Sequence, residues 1–425
     1  MTTSPADQTY DAGAPAEPRL VARTVRARGD LDLLTVAGGA GLLFARGSCG
    51  LAGRGVALRL ALPAGPERLS AASETVAAAL SAIEREDEVG VPGSGPVAFA
   101  ALPFAEAAPA SVVVPSLVVG RAEDGTGWIT TVAPPGAAPP PLAAPDFTTT
   151  TGPTSYRITT PRSPGAWCDS VAAAVVAIRA GGPTKVVLAR EVVIEADAPL
   201  ERGAIVRRLA AGAPGSMLYA VDGLVGASPE LLVSRRGDIV RSHPMAGTAA
   251  RTGDPAVDAS LAAGLLASAK DRREHQITID MVLDTVLPFC SYVDSEPEPS
   301  IVAAGNVQHL ASLVEGRLST PPASVLTLVA ALHPTPAVCG WPRGGALELI
   351  DTLEGGDRGH YAGAVGWVDV DGNGSFAVAL RGIELNGRQG RLWAGTGIVA
   401  DSDPATELAE TRAKLQTVLS AVVRP

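Results

Sequence analysis

The chain is short of several kinds of residue, and each shortage excludes something. Its 4 cysteines, Cys49, Cys168, Cys290 and Cys339, lie far apart and form no CxxC pair. That argues against a disulfide framework or a cysteine-rich zinc site and suits reduced thiols in the cytoplasm. The longest apolar run, Leu33 to Ala45, is too brief and too glycine-rich to span a bilayer, so no membrane partner is expected. The N-terminus lacks the basic-then-apolar order of a signal peptide. Cations are outnumbered, with 34 Lys and Arg against 44 Asp and Glu and a net charge of −10. A general nucleic-acid binder needs the opposite surplus, so no nucleic-acid partner is expected. An anionic small molecule remains compatible, because a few local cations suffice inside an acidic protein. The 47 glycines and 35 prolines are dispersed, which excludes a collagen-like or low-complexity chain.

What is present is globular: 46% hydrophobic and 18% charged residues, in a length that fits one large domain or two to three ordinary ones. Residues 1–18 are rich in Ala, Pro and small polar residues and are expected to be a flexible tail. From Leu31 to Leu62 short apolar runs alternate with Gly and Arg, as strands and turns do. Helical spacing covers Leu69 to Glu86, and strands are expected at Pro96–Phe104, Ser111–Val119 and Trp128–Val132, the last after an Asp124-Gly125 turn. Ala133 to Pro145 holds six prolines and reads as an extended connection, either between domains or within one fold. Beyond it, helices are expected over 166–180, 199–209, 261–286, 323–332 and 404–422. Strands are expected over 185–194, 217–221, 231–234, 301–310, 312–318, 362–369, 374–385 and 391–398. The pattern indicates an α+β fold with a large, mostly antiparallel sheet.

Several positions carry possible chemistry beside an ordinary reading. Lys185 opens the strand KVVLAR, where a lysine is commonly a solvated edge charge; desolvated, it can act as a base. Glu230 in GASPELL follows a Ser-Pro turn, yet a buried carboxyl there could donate a proton. Glu274 in SAKDRREH is spaced to pair with Lys270 at i,i+4, but the helix turns apolar just beyond, where an isolated carboxylate needs a cation. Glu407, Glu410 and Lys414 lie on one helical stripe: either a surface salt-bridge ladder, or Glu410 as a metal ligand with Lys414 meeting an anion. The glycines of AGTGIV allow backbone N–H groups to approach an anion. Arg381 ends the strand FAVALR, where alternation sets Ala377, Ala379 and Arg381 on one face, like a cavity wall with a cationic end. Tyr361 could add a hydroxyl. His243, His333 and His360 suit structural roles, while His309 ends an apolar strand.

In order, KVVLAR, GASPELL, PMAGT, SAKDRREH, GNVQHL, LHPTPAVCG, DRGHYAGAVGW, FAVALR, AGTGIV and ELAETRAKL resemble the motifs of the chorismate-utilising enzymes. The resemblance covers residues 151–425 strongly and 19–150 more loosely. It implies a single catalytic domain over 19–425, with the active site in a central cleft that binds Mg²⁺ and chorismate. By similarity Glu274 and Glu410 would hold the metal, with Lys414 on the ring carboxylate. Arg381 and Tyr361 would hold the enolpyruvyl carboxylate, and Gly247, Thr248, His309 and Gly395 would line the site.

Amine-using members resemble one another in carrying glutamine where this chain has Lys185, so the lysine implies water as nucleophile. Lys185 would take a proton from water attacking C2, and Glu230 would protonate the hydroxyl leaving C4. Both would act in the protonation state that is less common at neutral pH. Salicylate synthases resemble LHPTPAVCG but carry threonine where this chain has Ala337. The implied activity is therefore isochorismate synthase, an isomerase, with salicylate synthase as the alternative. No glutaminase subunit is expected, and a monomer follows. The product would feed siderophore, salicylate or menaquinone synthesis, between which the sequence does not choose.

Overall fold

The computed structural model describes residues 19–29, 31–62, 65, 68–137 and 152–423. The expected tail at 1–18 and residues 138–145 of the proline-rich connection lie outside the described residues.

Two large sheets of 13 and 9 strands form the body, with a third sheet of 3 strands beside them. Strands from 19–137 and from 152–423 mix within both large sheets. Every strand pairing among the described residues is antiparallel except Val21–Arg26 with Glu84–Asp87. The two large sheets pack through a shared core in which Phe44, Leu51 and Tyr219 of the larger meet Phe99, Val365 and Trp367 of the smaller. Helices Arg202–Gly212 and Pro404–Val423 cover the larger sheet, burying Leu209, Leu415 and Val418 against Val225 and Ile383. Helices Arg68–Ser81, Ala269–Val286 and Val325–Leu332 cover the smaller one, with Val76, Ile279 and Val329 among Val114, Val233 and Phe376.

Two of the places where the chain crosses between the large sheets are adjacent. One crossing runs from strand Leu224–Ser228 to Leu231–Arg236 through Pro229 and Glu230; the other runs from Gly374–Val378 to Gly382–Asn386 through Leu380 and Arg381. They are tied together: Val378 N–H donates to Glu230 O (3.1 Å), Ala227 N–H to Arg381 O (3.2 Å) and the Tyr219 hydroxyl to Leu380 O (2.8 Å). A sheet-to-sheet crossing ends regular pairing on both sides, so the side chains there face a gap.

Several expected elements differ, each for a local reason. The helix expected over 261–286 is two, Pro255–Ala267 and Ala269–Val286, because Ser268 is extended and its hydroxyl caps the second at Asp271 N–H. The strand expected over 374–385 breaks at Arg381, whose φ of 52° is left-handed. That corrects the face assignment by alternation: Arg381 lies outside both strands. Pro115 divides the strand expected over 111–119 into Ala110–Val114 and Leu117–Arg121. The 301–310 strand is a hairpin turning at Gly305-Asn306. Leu33–Ala37 is a short helix capped by Asp32 where strands were expected, and the helix from Arg68 stops at Ser81 because Glu84–Asp87 joins the sheet.

Candidate active site

A cleft of about 980 Å³, counting its open mouth, lies against these crossings. Lys185, Glu230, Gly247, Thr248, Glu274, His309, Ala337, Tyr361, Arg381, Gly395, Glu410 and Lys414 all line it. They arrive from the larger sheet, the small sheet, two helices and four loops.

Lys185 is 6% exposed, so it is no solvated edge charge. Strand Lys185–Ala196 pairs with Gln389–Ile398, and period-two alternation turns Lys185 and Val187 to the cleft. Its Nζ donates to Glu274 Oε1 at 2.6 Å. Glu274 thus meets a lysine from the sheet instead of its helical neighbour Lys270. On the C-terminal helix, Lys414 Nζ lies 2.6 Å from Glu410 Oε1 and donates to Gly395 O at 3.0 Å. The Glu410 carboxyl lies below the usual range: burial opposes this, but the Lys414 ammonium outweighs it. Glu407 is buried and accepts from the Thr396 hydroxyl at 2.5 Å, so this stripe is not a surface ladder.

Glu230 is 3% exposed. Its carboxyl is pushed up to about 8, because burial outweighs the opposing pull of Lys185, the Met245 N–H and Lys414. It is therefore mostly protonated at neutral pH and able to donate. Arg381, also buried, is lowered to about 10 by its burial. Its Nη2 reaches His309 Nε2 at 3.4 Å, while Nη1 has no partner among the described residues. An unpaired guanidinium N–H beside a cleft asks for an acceptor such as a carboxylate. Because Arg381 can only donate, His309 Nε2 accepts, which leaves the proton on Nδ1 to donate to Gly247 O at 3.1 Å. Burial holds the His309 imidazole down at about 3, hence neutral. Thr248 Oγ1 lies 3.2 Å from the same Nδ1. Burial pushes the Tyr361 hydroxyl up to about 12, and its ring stacks on Trp393 at 6.3 Å.

The glycines of AGTGIV lie inside a paired strand, and what they supply is room. A Cβ on Gly395 would sit 2.9 Å from Tyr361 Oη, and one on Gly397 would sit 2.7 Å from Lys185 Cε. Gly247 has a φ of 71° and faces Asp271. Away from the cleft, His333 meets Phe104 O and His360 meets Glu384, as structural histidines.

Sequence reasoning missed Lys270, Asp271, Glu407 and Trp393, which also line the cleft. One signal was available. The chain has only three lysines, Lys185, Lys270 and Lys414, and all three face this one cavity. Two carboxylate pairs at i,i+3 line it too, Asp271 with Glu274 and Glu407 with Glu410, each near the start of a helix. Among the described residues no three His, Cys, Asp or Glu side chains form a ready cage for a metal. Two carboxylate pairs in one cleft suit a cation that keeps several waters and takes ligand oxygen, as Mg²⁺ does.

A family model described as chorismate binding enzyme matches residues 143–423. A protein of Mycobacterium tuberculosis, provisionally named isochorismate synthase MenF, is 40% identical over 347 residues, covering 78% of this chain and 87% of that protein. Isochorismate synthase DhbC of Bacillus subtilis is 40% identical over 279 residues, covering 63% of this chain and 70% of that one. A crystal structure from Bacillus anthracis, provisionally named a 2,3-dihydroxybenzoate-specific isochorismate synthase, superposes with a TM-score of 0.77 at 30% identity, over 92% of this chain and 98% of that one. No helix among the described residues is long and apolar enough to cross a membrane. With the ordered motifs gathered in one cleft and the match spanning most of the length, the chain belongs to the family of chorismate-binding enzymes.

Proposed function

We propose that this protein is an isochorismate synthase, converting chorismate to isochorismate by adding water at C2 and losing the C4 hydroxyl as water. The observation that carries the reading is that Lys185 and Glu230 line one cleft, with the Glu230 carboxyl pushed up to about 8 by burial. Lys185 Nζ takes a proton from the attacking water, and Glu230 gives its proton to the departing hydroxyl, so the ring gains and loses the same group. Arg381, with its free Nη1, and Tyr361 hold the enolpyruvyl carboxylate. Lys414 meets the ring carboxylate, and Ala337 offers no hydroxyl at its own place in the cleft wall. Gly247, Thr248 and His309 form one hydrogen-bonded side wall.

Mg²⁺ would be held by Glu274 and Glu410, with Asp271 and Glu407 available to its water shell, and when bound it would neutralise the ring carboxylate. Water as nucleophile requires no ammonia-delivering subunit, and we read the protein as acting alone in the cytoplasm. Names of relatives at 40% identity support the same reaction.

The test is incubation with chorismate and Mg²⁺, followed by separation of products. Isochorismate without pyruvate is expected. Salicylate with pyruvate would make the protein a lyase, and no turnover would end the reading. Activity that survives exhaustive metal removal would overturn the Mg²⁺ assignment alone.

A further inference from the structure

The segment DRGHYAGAVGW carries an arginine that does not face the cleft. Arg358 is 2% exposed and sits directly behind the cleft wall. It pairs with Glu354, one turn back at the end of helix Arg343–Glu354, and each side chain is 2% exposed. Nε donates to Glu354 Oε2 at 2.8 Å, and Nη2 to Oε1 at 2.5 Å.

The remaining bonds run to the wall itself. Arg358 Nη2 donates to Val187 O at 2.7 Å, two residues along the strand from Lys185. Nη1 donates to Val338 O at 2.8 Å, next to Ala337. Glu354 Oε1 accepts from Ala189 N–H at 2.7 Å, on the same strand as Lys185. Tyr361 N–H donates to Arg358 O at 3.0 Å, and the guanidinium lies over the Phe104 ring at 4.4 Å.

Burying two charges is costly, and apolar residues of similar volume are commonly as stable, so stability alone does not account for the pair. A planar fork with fixed donor directions does something an apolar plug would not. It fixes the spacing of two backbone segments, one carrying Lys185 and one carrying Ala337. We propose that Arg358 and Glu354 are positioning residues that hold Lys185 and the Ala337 loop in working alignment across the cleft. The proposal rests on the reading of Lys185 as the base. Neither residue touches the substrate.

The experiment uses the full chain in two variants, Glu354→Gln/Arg358→Met and Arg358→Lys. The first removes both charges together and keeps an acceptor for Ala189 N–H; the second keeps the charge and loses the fork. Each is checked for a cooperative melt, then assayed for kcat and KM on chorismate with Mg²⁺. Folded variants are expected to lose about tenfold or more in kcat, as misplacement of a reacting group does. KM should change little, because Arg381 and Lys414 are not bonded to the pair and Tyr361 is held by the Arg358 backbone carbonyl, which both variants keep.

Hydrogen exchange is read in parallel. Faster exchange is expected in 185–191 and 335–339, with the helix Pro404–Val423 unchanged, and this holds whether or not chorismate is turned over. An inactive wild-type protein would end the functional reading while exchange still decides the positioning. Folded variants with kcat within about twofold of wild type, or a loss carried by KM alone, would overturn the proposal. Failure of both variants to fold would do so as well, making the pair a structural requirement.

Discussion

The ammonium of Lys185 donates to Oε1 of Glu274 at 2.6 Å, joining the first residue of a strand to the second turn of a helix across the cleft. Lys414 and Glu410 repeat the relationship at the same distance on the C-terminal helix. Both carboxylates proposed to hold Mg²⁺ therefore carry a lysine already on Oε1, and a metal would compete with it for the same negative charge. Lys414→Met should tighten Mg²⁺ binding to the substrate-free protein by about fivefold or more, because the side chains of the pair are only 17% and 28% exposed. Titration calorimetry with Mg²⁺ alone measures it; unchanged or weaker affinity would show that ammonium and metal do not compete.

Glu230 gives a pH prediction whose sign follows from its burial. Its folded-state pKa of about 8 lies above the ordinary value of 4.5, so the protonated form is favoured by folding. The stability this contributes is complete below about 4.5 and is lost as pH rises through about 8. Glu230→Gln removes the titration, so the variant should gain in melting temperature relative to wild type between pH 6 and pH 9. Turnover should move the other way: wild-type kcat falls as pH passes about 8, and the variant is at least about a hundredfold slower throughout. A wild-type profile flat through pH 9 would remove Glu230 as the acid.

Much of the site was legible because its signals are local. Ten short motifs in a fixed order name the residues, and the structure brings all twelve expected site positions into one cleft. Their arrangement was not legible, because the two sheet crossings that place Glu230 and Arg381 depend on pairings between segments some 150 residues apart. Alternation misplaced Arg381 for this reason: a strand period assumes the strand continues, and this one changes sheets. Glu274 was read against Lys270, four residues away, when its partner Lys185 is 89 residues distant. Ser268 was readable in principle as a cap, but it interrupts an apolar spacing that otherwise runs on.

The third lysine makes a prediction of its own. Lys270 is exposed at the rim of the cleft, in the first turn of helix Ala269–Val286, where a cation opposes the helix dipole. A purely structural site would favour an acid there. In a protein with a net charge of −10, a positive rim assists capture of a dianionic substrate. Lys270→Gln should lower kcat/KM by about threefold at low ionic strength and leave kcat unchanged. The difference should vanish near 0.5 M salt, where the Debye length is only about 4 Å. A deficit that persists at high salt would mean that Lys270 acts by contact and not through its field.

Gly397 tests whether the room behind the base matters. The strand that carries it is paired to the base-bearing strand, with Gly397 opposite Val187. A Cβ there would come within 2.7 Å of Lys185 Cε and 3.3 Å of Glu274 Oε1. The φ at Gly397 is not left-handed, so alanine is not strained in the backbone, and the only clash is with the ends of two side chains. Those chains can swing, so Gly397→Ala should fold with a melting temperature within a few degrees of wild type. The swing would break the 2.6 Å bond and carry Nζ away from the attacking water, costing about tenfold to a hundredfold in kcat. Mg²⁺ affinity should rise at the same time, since Glu274 loses its competing lysine. Undiminished kcat in Gly397→Ala would mean that the base is not at Lys185 Nζ. A fall in kcat with weaker Mg²⁺ binding would instead mean that the methyl group displaces Glu274 itself, and that the lysine had been holding the metal ligand in place.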